Sequence, residues 1–291
     1  MFAGYGGLDL GLIQVIPEAT PAWHMEIDPG PAHVLAHRYP NVPNLGDVTQ
    51  VDWYQVEPVE VITAGYPCQP FSVAGQRKGT NDERHLWPHV FNAIRVLRPQ
   101  FAVFENVPGH ITLGLDTVLC DLAEIGWDAE WTVNRASDVG APHHRERLFI
   151  LAYPHGKRPQ AQRQSSGQAQ EIAWDNNMLD FLAGLNGAAD IDHELKMQFE
   201  DYGPAILTWA LITGTPPPPI LVDHPVRSLH PRFPESKAAT NPAFIEWMMG
   251  LPAGWVTQVP GLTRTQMLKV LGNGVVPQTA ATALQDLLAR T

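Results

Sequence analysis

The sequence predicts an α/β fold built on a doubly wound sheet. Short apolar runs alternate with apolar stripes at helical spacing as far as about residue 152. Glycine turns stand near both ends, Gly4-Tyr5-Gly6-Gly7 and Gly272-Asn273-Gly274, each placed to open a helix. Between them the alternation lapses. Residues 156–170 are rich in Gln, Ser and Arg with few apolar anchors, which reads as flexible chain.

The elements follow in order. Leu8, Leu12, Val15 and Ile16 mark a first helix after Met1-Phe2-Ala3 and the glycine turn. Ala22 to Met25 reads as a strand that ends at Glu26, and Pro31 to Arg38 as a short helix. Asn44 to Val48 would hold a further strand, ended by Asp47. Val59 to Ala64 is a buried strand, and Gly65-Tyr66-Pro67-Cys68-Gln69-Pro70-Phe71-Ser72 follows its end. Val73 to Gly79 reads as a mobile loop. Leu86, Val90, Phe91, Ile94 and Leu97 form a helical stripe that stops before Pro99. Phe101 to Phe104 is a continuous apolar strand running into Glu105-Asn106-Val107. Leu115, Val118, Leu119, Leu122 and Ile125 make another helix, closed by Gly126. Trp131 to Val133 and Leu148 to Ala152 are two more strands, flanking Ala136 to Arg147. Pro216 to Pro219 is a stiff spacer, Pro242 to Gly250 is helical, and an apolar helix ends the chain.

Composition narrows the function classes. At 291 residues, 44% hydrophobic and 17% charged, the chain has core for one large or two modest domains. No apolar run reaches the roughly 20 residues of a membrane span, and a secretory start is not expected. Cys68 and Cys120 are too few for a disulfide framework, which points to a reducing cytoplasm. The histidines lack partners at metal-ligand spacing, so no metal is expected. A net charge of −11 argues mildly against a polyanionic partner. Against it, Arg135, Arg145, Arg147, Lys157, Arg158 and Arg163 cluster in one stretch, although such a run is more often a solvated face.

Single residues leave alternatives open. Cys68, between two prolines just past a strand, stands where α/β enzymes place their chemistry, or else is an inert buried thiol. Glu26 could accept from ribose hydroxyls, yet Asp9 holds the place of a third glycine and disfavours a dinucleotide site. Asp47 could equally make an Asx turn, and Glu105 could cap the turn before Pro108. Arg145 and Arg147 alternate on an extended segment and so share a face. Cys120 belongs to a helix and reads as structural.

Together FAGYGG, Glu26-Ile27, Asp47-Val48, PCQPFS, Glu105-Asn106-Val107, His143-His144-Arg145-Glu146-Arg147 and GNGVVPQ resemble, in order, the C5-cytosine DNA methyltransferase family. DYGPAILTW and FIEWMMGLPAGW resemble its phage and actinobacterial branch. The resemblance implies a Rossmann-like methyltransferase sheet formed by 1–153 and 262–291, with 154–261 inserted as a smaller target-recognition domain. It implies S-adenosyl-L-methionine as cofactor and double-stranded DNA as partner, with the target cytosine flipped from the duplex. Cys68 would add to cytosine C6, Glu105 would contact N3 and the exocyclic amine, Arg147 would steady that glutamate and reach O2, and Arg145 would act near the cysteine. Phe2, Gly4, Gly6, Gly7 and Leu8 would approach the cofactor. Glu26 would take its ribose, Ile27 would pack on adenine, Asp47 would accept from the adenine amine, and Val48, Pro67, Leu86, Asn273 and Val275 would complete the contacts. The loop Ser72 to Arg84 would close over the base. The family habit is a monomer in a bacterial or phage-infected cytoplasm, and a cognate restriction endonuclease is a partner it allows.

Two departures stand out. His143 replaces the family's Gln, so an adapted, nucleic-acid-facing contact is expected. The family also begins its first strand several residues before its FAG motif, whereas only Met1 precedes Phe2 here. A truncated first strand would cost apolar burial, and an apolar extension ahead of Met1 is expected to raise the melting temperature. It keeps open a weakened relative that binds DNA without methylating it. A tRNA cytosine-5 methyltransferase is the other alternative.

Overall fold

A computed structural model describes residues 1–67, 86–160, 176–186, 199–223 and 238–290. The chain divides into two compact units. The first comprises 1–139, 145–164 and 273–291, and the second 140–144 and 165–272.

The first unit carries a four-stranded sheet: β1 (Val61–Ala64), β2 (Phe101–Asn106), β3 (Trp127–Arg135) and β4 (Glu146–Pro154), in the order β1-β2-β4-β3. β1 and β2 are parallel, with Val61 opposite Phe101. Helix α1 (Gly7–Val15) and α2 (Pro29–Arg38) precede the sheet. α3 (Trp87–Leu97) lies between β1 and β2 in the chain, α4 (Leu115–Glu124) between β2 and β3. This is the Rossmann-like α/β architecture expected, and its layers explain the apolar runs. Alternate residues of β2 feed two cores: Ala102 and Phe104 join Ile62, Trp87, Ile94 and Leu122, while Phe101 and Val103 join Leu8, Leu12, Leu284 and Leu287. A strand covered on both faces has no solvent side to make polar. Each fully buried Phe or Leu contributes about 1.5–3 kcal/mol.

The sheet departs from the expectation in two places. Ala22–Met25 and Asn44–Val48 are not regular strands; they meet through one bridge, His24 to Asn44. Pro21, Pro40 and Pro43 withhold backbone donors around them. The Asn44 side chain fills the gap, its Oδ1 accepting from Glu26 N–H and its Nδ2 donating to Glu26 C=O, both at 3.0 Å. At the other edge, β3 and β4 form a long antiparallel pair of nine residues each. Its polar positions, Asp128, Glu130 and Asn134, hide that length from an apolar-run reading.

Residues 1–3 lie beside β1. The Met1 ammonium donates to Thr63 C=O at 2.6 Å, Gly65 N–H donates to Met1 C=O at 3.1 Å, and Ala3 N–H donates to Met25 C=O at 3.3 Å. Beyond Met1 a cavity of about 1030 Å³ opens between β1 and the 22–24 segment, bordered by Leu12, Ile16, Trp23, Val61 and Leu288. His24 borders it too, with its Nε2 buried and without a hydrogen-bond partner.

The second unit holds α5 (Asn176–Asn186), α6 (Gly203–Thr213), the pair β5 (Leu221–Asp223) and β6 (Ala238–Thr240), α7 (Pro242–Met248) and most of α8 (Arg264–Asn273). Trp209 is fully buried and its indole donates to Trp247 C=O at 2.8 Å. Glu246, also buried, accepts from the backbone N–H groups of Gly254, Val256 and Thr257 and from the Thr257 hydroxyl. Helix α9 (Pro277–Ala289) returns the chain to the first unit, packed on α1. Among the described residues no helix is long and apolar enough to cross a membrane.

Candidate active site

The glycine turn is shaped by what it must pack against. A Cβ on Gly7 would stand 2.3 Å from Val275 C=O, and one on Gly274 would stand 1.8 Å from the Tyr5 ring. Only glycine lets these two turns, far apart in sequence, meet. Tyr5 is fully buried between them and its hydroxyl donates to Val275 C=O at 2.7 Å. Burial pushes the phenol's pKa up, so it stays a donor. Asp9 has its own use: it accepts from Thr63 Oγ1 at 2.5 Å and ties α1 to β1.

Phe2, Gly4, Gly7, Leu8, Glu105, Asn273 and Val275 line one cavity of about 50 Å³ at the ends of β1 and β2. Gly6 is buried at the start of α1 and does not line it. Glu26 faces the turn, with Oε2 accepting from Gly4 N–H at 2.9 Å and Oε1 from Asp28 N–H at 2.8 Å. Each carboxylate oxygen thus keeps acceptor capacity for a hydroxyl. Ile27, next in the chain, is 68% exposed, a large apolar surface beside that carboxylate. These residues fit a ligand carrying a ribose and a flat apolar ring. Asp47 caps the short turn Val48–Gln50, its Oδ1 accepting from Thr49 N–H and hydroxyl, which holds its carboxyl below the ordinary range. It therefore makes the Asx turn, with its second oxygen left over for a donor. Val48 is buried, Pro67 exposed, and Leu86 half-buried ahead of α3.

Glu105 is the penultimate residue of β2, its carboxylate largely buried. Oε1 meets Arg147 Nε at 2.7 Å, with side-chain exposures of 13% and 19%. Burial pushes the Glu105 pKa up, and Arg147 and Arg145 pull against it. Its Oε2 stands 3.3 Å from where a Cβ on Gly65 would be, so the carboxylate lies against the chain that leads to Cys68. Cys68 itself, and the loop Ser72 to Arg84, lie outside the described residues, as does most of 156–170.

Both arginines act on Glu105, though not from one extended segment. Arg147 lies in β4, but the backbone at Arg145 has φ 25°, which breaks the extended alternation. Arg145 instead turns to donate to Gly274 C=O, joining β4 to the second glycine turn. Burial works against its charge. His143 is half-buried, and its Nε2 pairs with Met248 C=O at 3.0 Å, at the end of α7. Cys120 is free and exposed on α4, not part of the core.

Sequence reasoning missed Asn44, which clasps the Glu26 backbone, and Tyr5, which links the glycine turns. It also passed over Tyr66 and His110, paired at 2.9 Å. The available signal was polar residues next to strand ends.

A family model described as C-5 cytosine-specific DNA methylase matches residues 1–198. The chain is 32% identical over 158 residues to the type II methyltransferase M.NlaX of Neisseria lactamica, covering 53% of this chain and 50% of that one. It is 32% identical over 182 residues to the type II methyltransferase M.CviJI of Paramecium bursaria Chlorella virus IL3A, covering 61% and 48%. The chain thus spans about half the length of these curated relatives. Among solved structures, the S. pombe Dnmt2 methyltransferase superposes with a TM-score of 0.64 over 99% of this chain and 96% of its own, at 15% identity, which speaks to the fold alone.

Proposed function

The chain belongs to the C-5 cytosine-specific DNA methylase family, and from that membership we propose how its site works: it methylates C5 of a cytosine flipped out of a specific duplex sequence. The observation that carries the reading is the buried Glu105–Arg147 pair set against Gly65. Cytosine C5 is a weak nucleophile. In this reading the Cys68 thiolate adds to C6, the Sγ–C6 bond forms, and the electron pair of the C5–C6 double bond shifts to C5, conjugated through C4 toward N3, which makes C5 nucleophilic. Glu105, whose pKa burial pushes up against the pull of the arginines, would share a proton with N3 and accept from the exocyclic amine, which stabilises that electron shift. Arg147 fixes the carboxyl and offers its remaining N–H groups to O2. Loss of the C5 proton after methylation restores the double bond and expels the thiolate. Arg145 serves by holding the 274–275 turn beside Phe2 to Leu8.

S-adenosyl-L-methionine supplies an electrophilic methyl group when bound. Phe2, Gly4, Gly6, Gly7 and Leu8 would form its cradle with Asn273 and Val275, Glu26 would accept from its ribose, Ile27 and Val48 would cover its adenine, Asp47 would take the adenine amine, and Pro67 and Leu86 would close the far side. The second unit is the target-recognition part, reading base edges in the major groove. A monomer acting in a bacterial or phage-infected cytoplasm, opposite an endonuclease that cuts the same unmodified sequence, completes the proposal.

The test is to incubate the protein with labelled methyl donor and duplex DNA, single-stranded DNA or tRNA, then digest to nucleosides. Label in 5-methyldeoxycytidine from duplex DNA is expected. Label confined to tRNA, or to methyladenine, would contradict the reading, and binding without label would favour a DNA-holding relative.

A further inference from the structure

Tyr66, in the segment that leads into Cys68, is buried at 3% exposure. Its ring lies against Trp87 and Phe104 at centroid separations of 5.3 and 6.0 Å. Its carbonyl accepts from Asn106 Nδ2 at 3.2 Å, and its hydroxyl lies 2.9 Å from His110 Nε2. His110 is buried too, and its Nδ1 lies 3.1 Å from Leu113 C=O. A carbonyl only accepts, so Nδ1 carries the ring proton. In the neutral ring Nε2 is then the acceptor and the Tyr66 hydroxyl donates. Burial pushes the imidazole pKa down, against the opposing pull of the Leu113 carbonyl and Asp116, so the ring is neutral near pH 7.

Asn106 follows Glu105 on β2. Its Oδ1 accepts from Val107 N–H at 2.9 Å, which leaves the amide nitrogen aimed at Tyr66. His110 sits on the short turn Pro108–Ile111 just beyond. Tyr66 is therefore held at its ring, its carbonyl and its hydroxyl by the strand and turn that carry Glu105. Phenylalanine would fill the same aromatic nest. What packing does not call for is the hydroxyl and its imidazole partner, two buried polar groups that cost free energy unless they are paired.

We propose that His110 and Tyr66 are positioning residues that hold the start of the Cys68 segment in register with Glu105. This rests on the reading of Cys68 and Glu105 as the reacting pair. His110 does not touch the base; it acts through Tyr66. Misplacing a reacting group by an ångström costs on the order of a hundredfold in rate.

The variants are Tyr66→Phe, His110→Leu and His110→Gln in the full chain; glutamine keeps an acceptor near the place of Nε2. Single-turnover methyl transfer to duplex DNA, the Kd for DNA and for the methyl donor, and the alkylation rate of Cys68 by iodoacetamide (resolved from Cys120 by peptide mass spectrometry) are measured together. Tyr66→Phe and His110→Leu should slow transfer about tenfold or more. Both affinities should stay within about threefold, so that kcat falls and KM does not rise. Cys68 alkylation should change in the same two variants, and His110→Gln should recover most of each effect. Folded variants with wild-type transfer and wild-type alkylation would overturn the proposal. So would a rate loss matched by lost affinity, with glutamine no better than leucine. If the wild-type chain methylates nothing, the Cys68–Glu105 reading fails by itself, and alkylation alone decides the pair. If His110→Leu does not fold, Tyr66→Phe, which removes one oxygen, still decides.

Discussion

Glu105 is a carboxyl that burial keeps protonated more readily than an exposed one, beside an arginine that resists this. The sign for stability follows from linkage. A folded-state pKa above the unfolded value contributes stability fully present below the unfolded carboxylate range, and lost as pH rises through the folded value. Glu105→Gln cannot ionise, so its melting temperature should fall less than the wild type's between about pH 4.5 and pH 8. Parallel thermal scans check this; an identical pH slope would argue against a raised pKa. The same variant should lose methyl transfer by about a hundredfold or more, since an amide can hydrogen-bond to N3 but has no acidic proton to share with it. Arg147→Lys should lose most of that activity as well. The Glu105 contact is made by the guanidinium Nε, a position that an ammonium on a thinner stem does not reproduce.

The two glycine turns and the strand ends between them make the site. Gly274→Ala would drive a Cβ into the Tyr5 ring and should destabilise the fold by about 1–3 kcal/mol. A drop of several degrees in melting temperature checks it, and an unchanged value would mean that Tyr5 can move aside. These elements differed in how well the sequence announced them. The helices of the first unit were legible because a buried stripe repeats along them, as with Trp87, Val90 and Ile94 on α3, whereas α5, α6 and α8 were not read from the sequence. β2 was legible because both of its faces are covered. The segments at 22–25 and 44–48 looked like strands, but their backbones join at one bridge only, and the Asn44 side-chain amide adds two bonds to Glu26 beside it. Asp47 was ambiguous in sequence, and its turn is the local Asx alternative. Arg145 reads as extended in the sequence, but its φ of 25° breaks the alternation that spacing assumes. Tyr66 and His110 stand next to strand ends, but their pairing was not legible, since a bond between residues 44 apart leaves no periodic trace.

In the first unit, the cavity beyond Met1 lies along the open edge of β1. Glu60 C=O turns to β2, where it accepts from Gln100 N–H, while Thr63 C=O turns to Met1, so alternate residues of β1 face the cavity. Joining four to six apolar residues ahead of Met1 should let them pair there, and should raise the melting temperature by several degrees, as about 25 cal/mol per Å² of buried apolar surface implies. No rise would mean that the cavity does not accept a strand. The net charge of −11 makes DNA association depend on local basic groups, so affinity should fall steeply with salt if those groups meet phosphates. The central claim is the covalent bond between Cys68 and the target base. It is tested most directly by mixing the protein and methyl donor with duplex oligonucleotides carrying 5-fluorocytosine, where fluorine cannot leave as a proton does. A denaturant-stable protein–DNA adduct mapping to Cys68, and lost in Cys68→Ser, is the predicted result. An adduct that survives Cys68→Ser, or bound DNA with no adduct in any sequence that the native protein methylates, would contradict it.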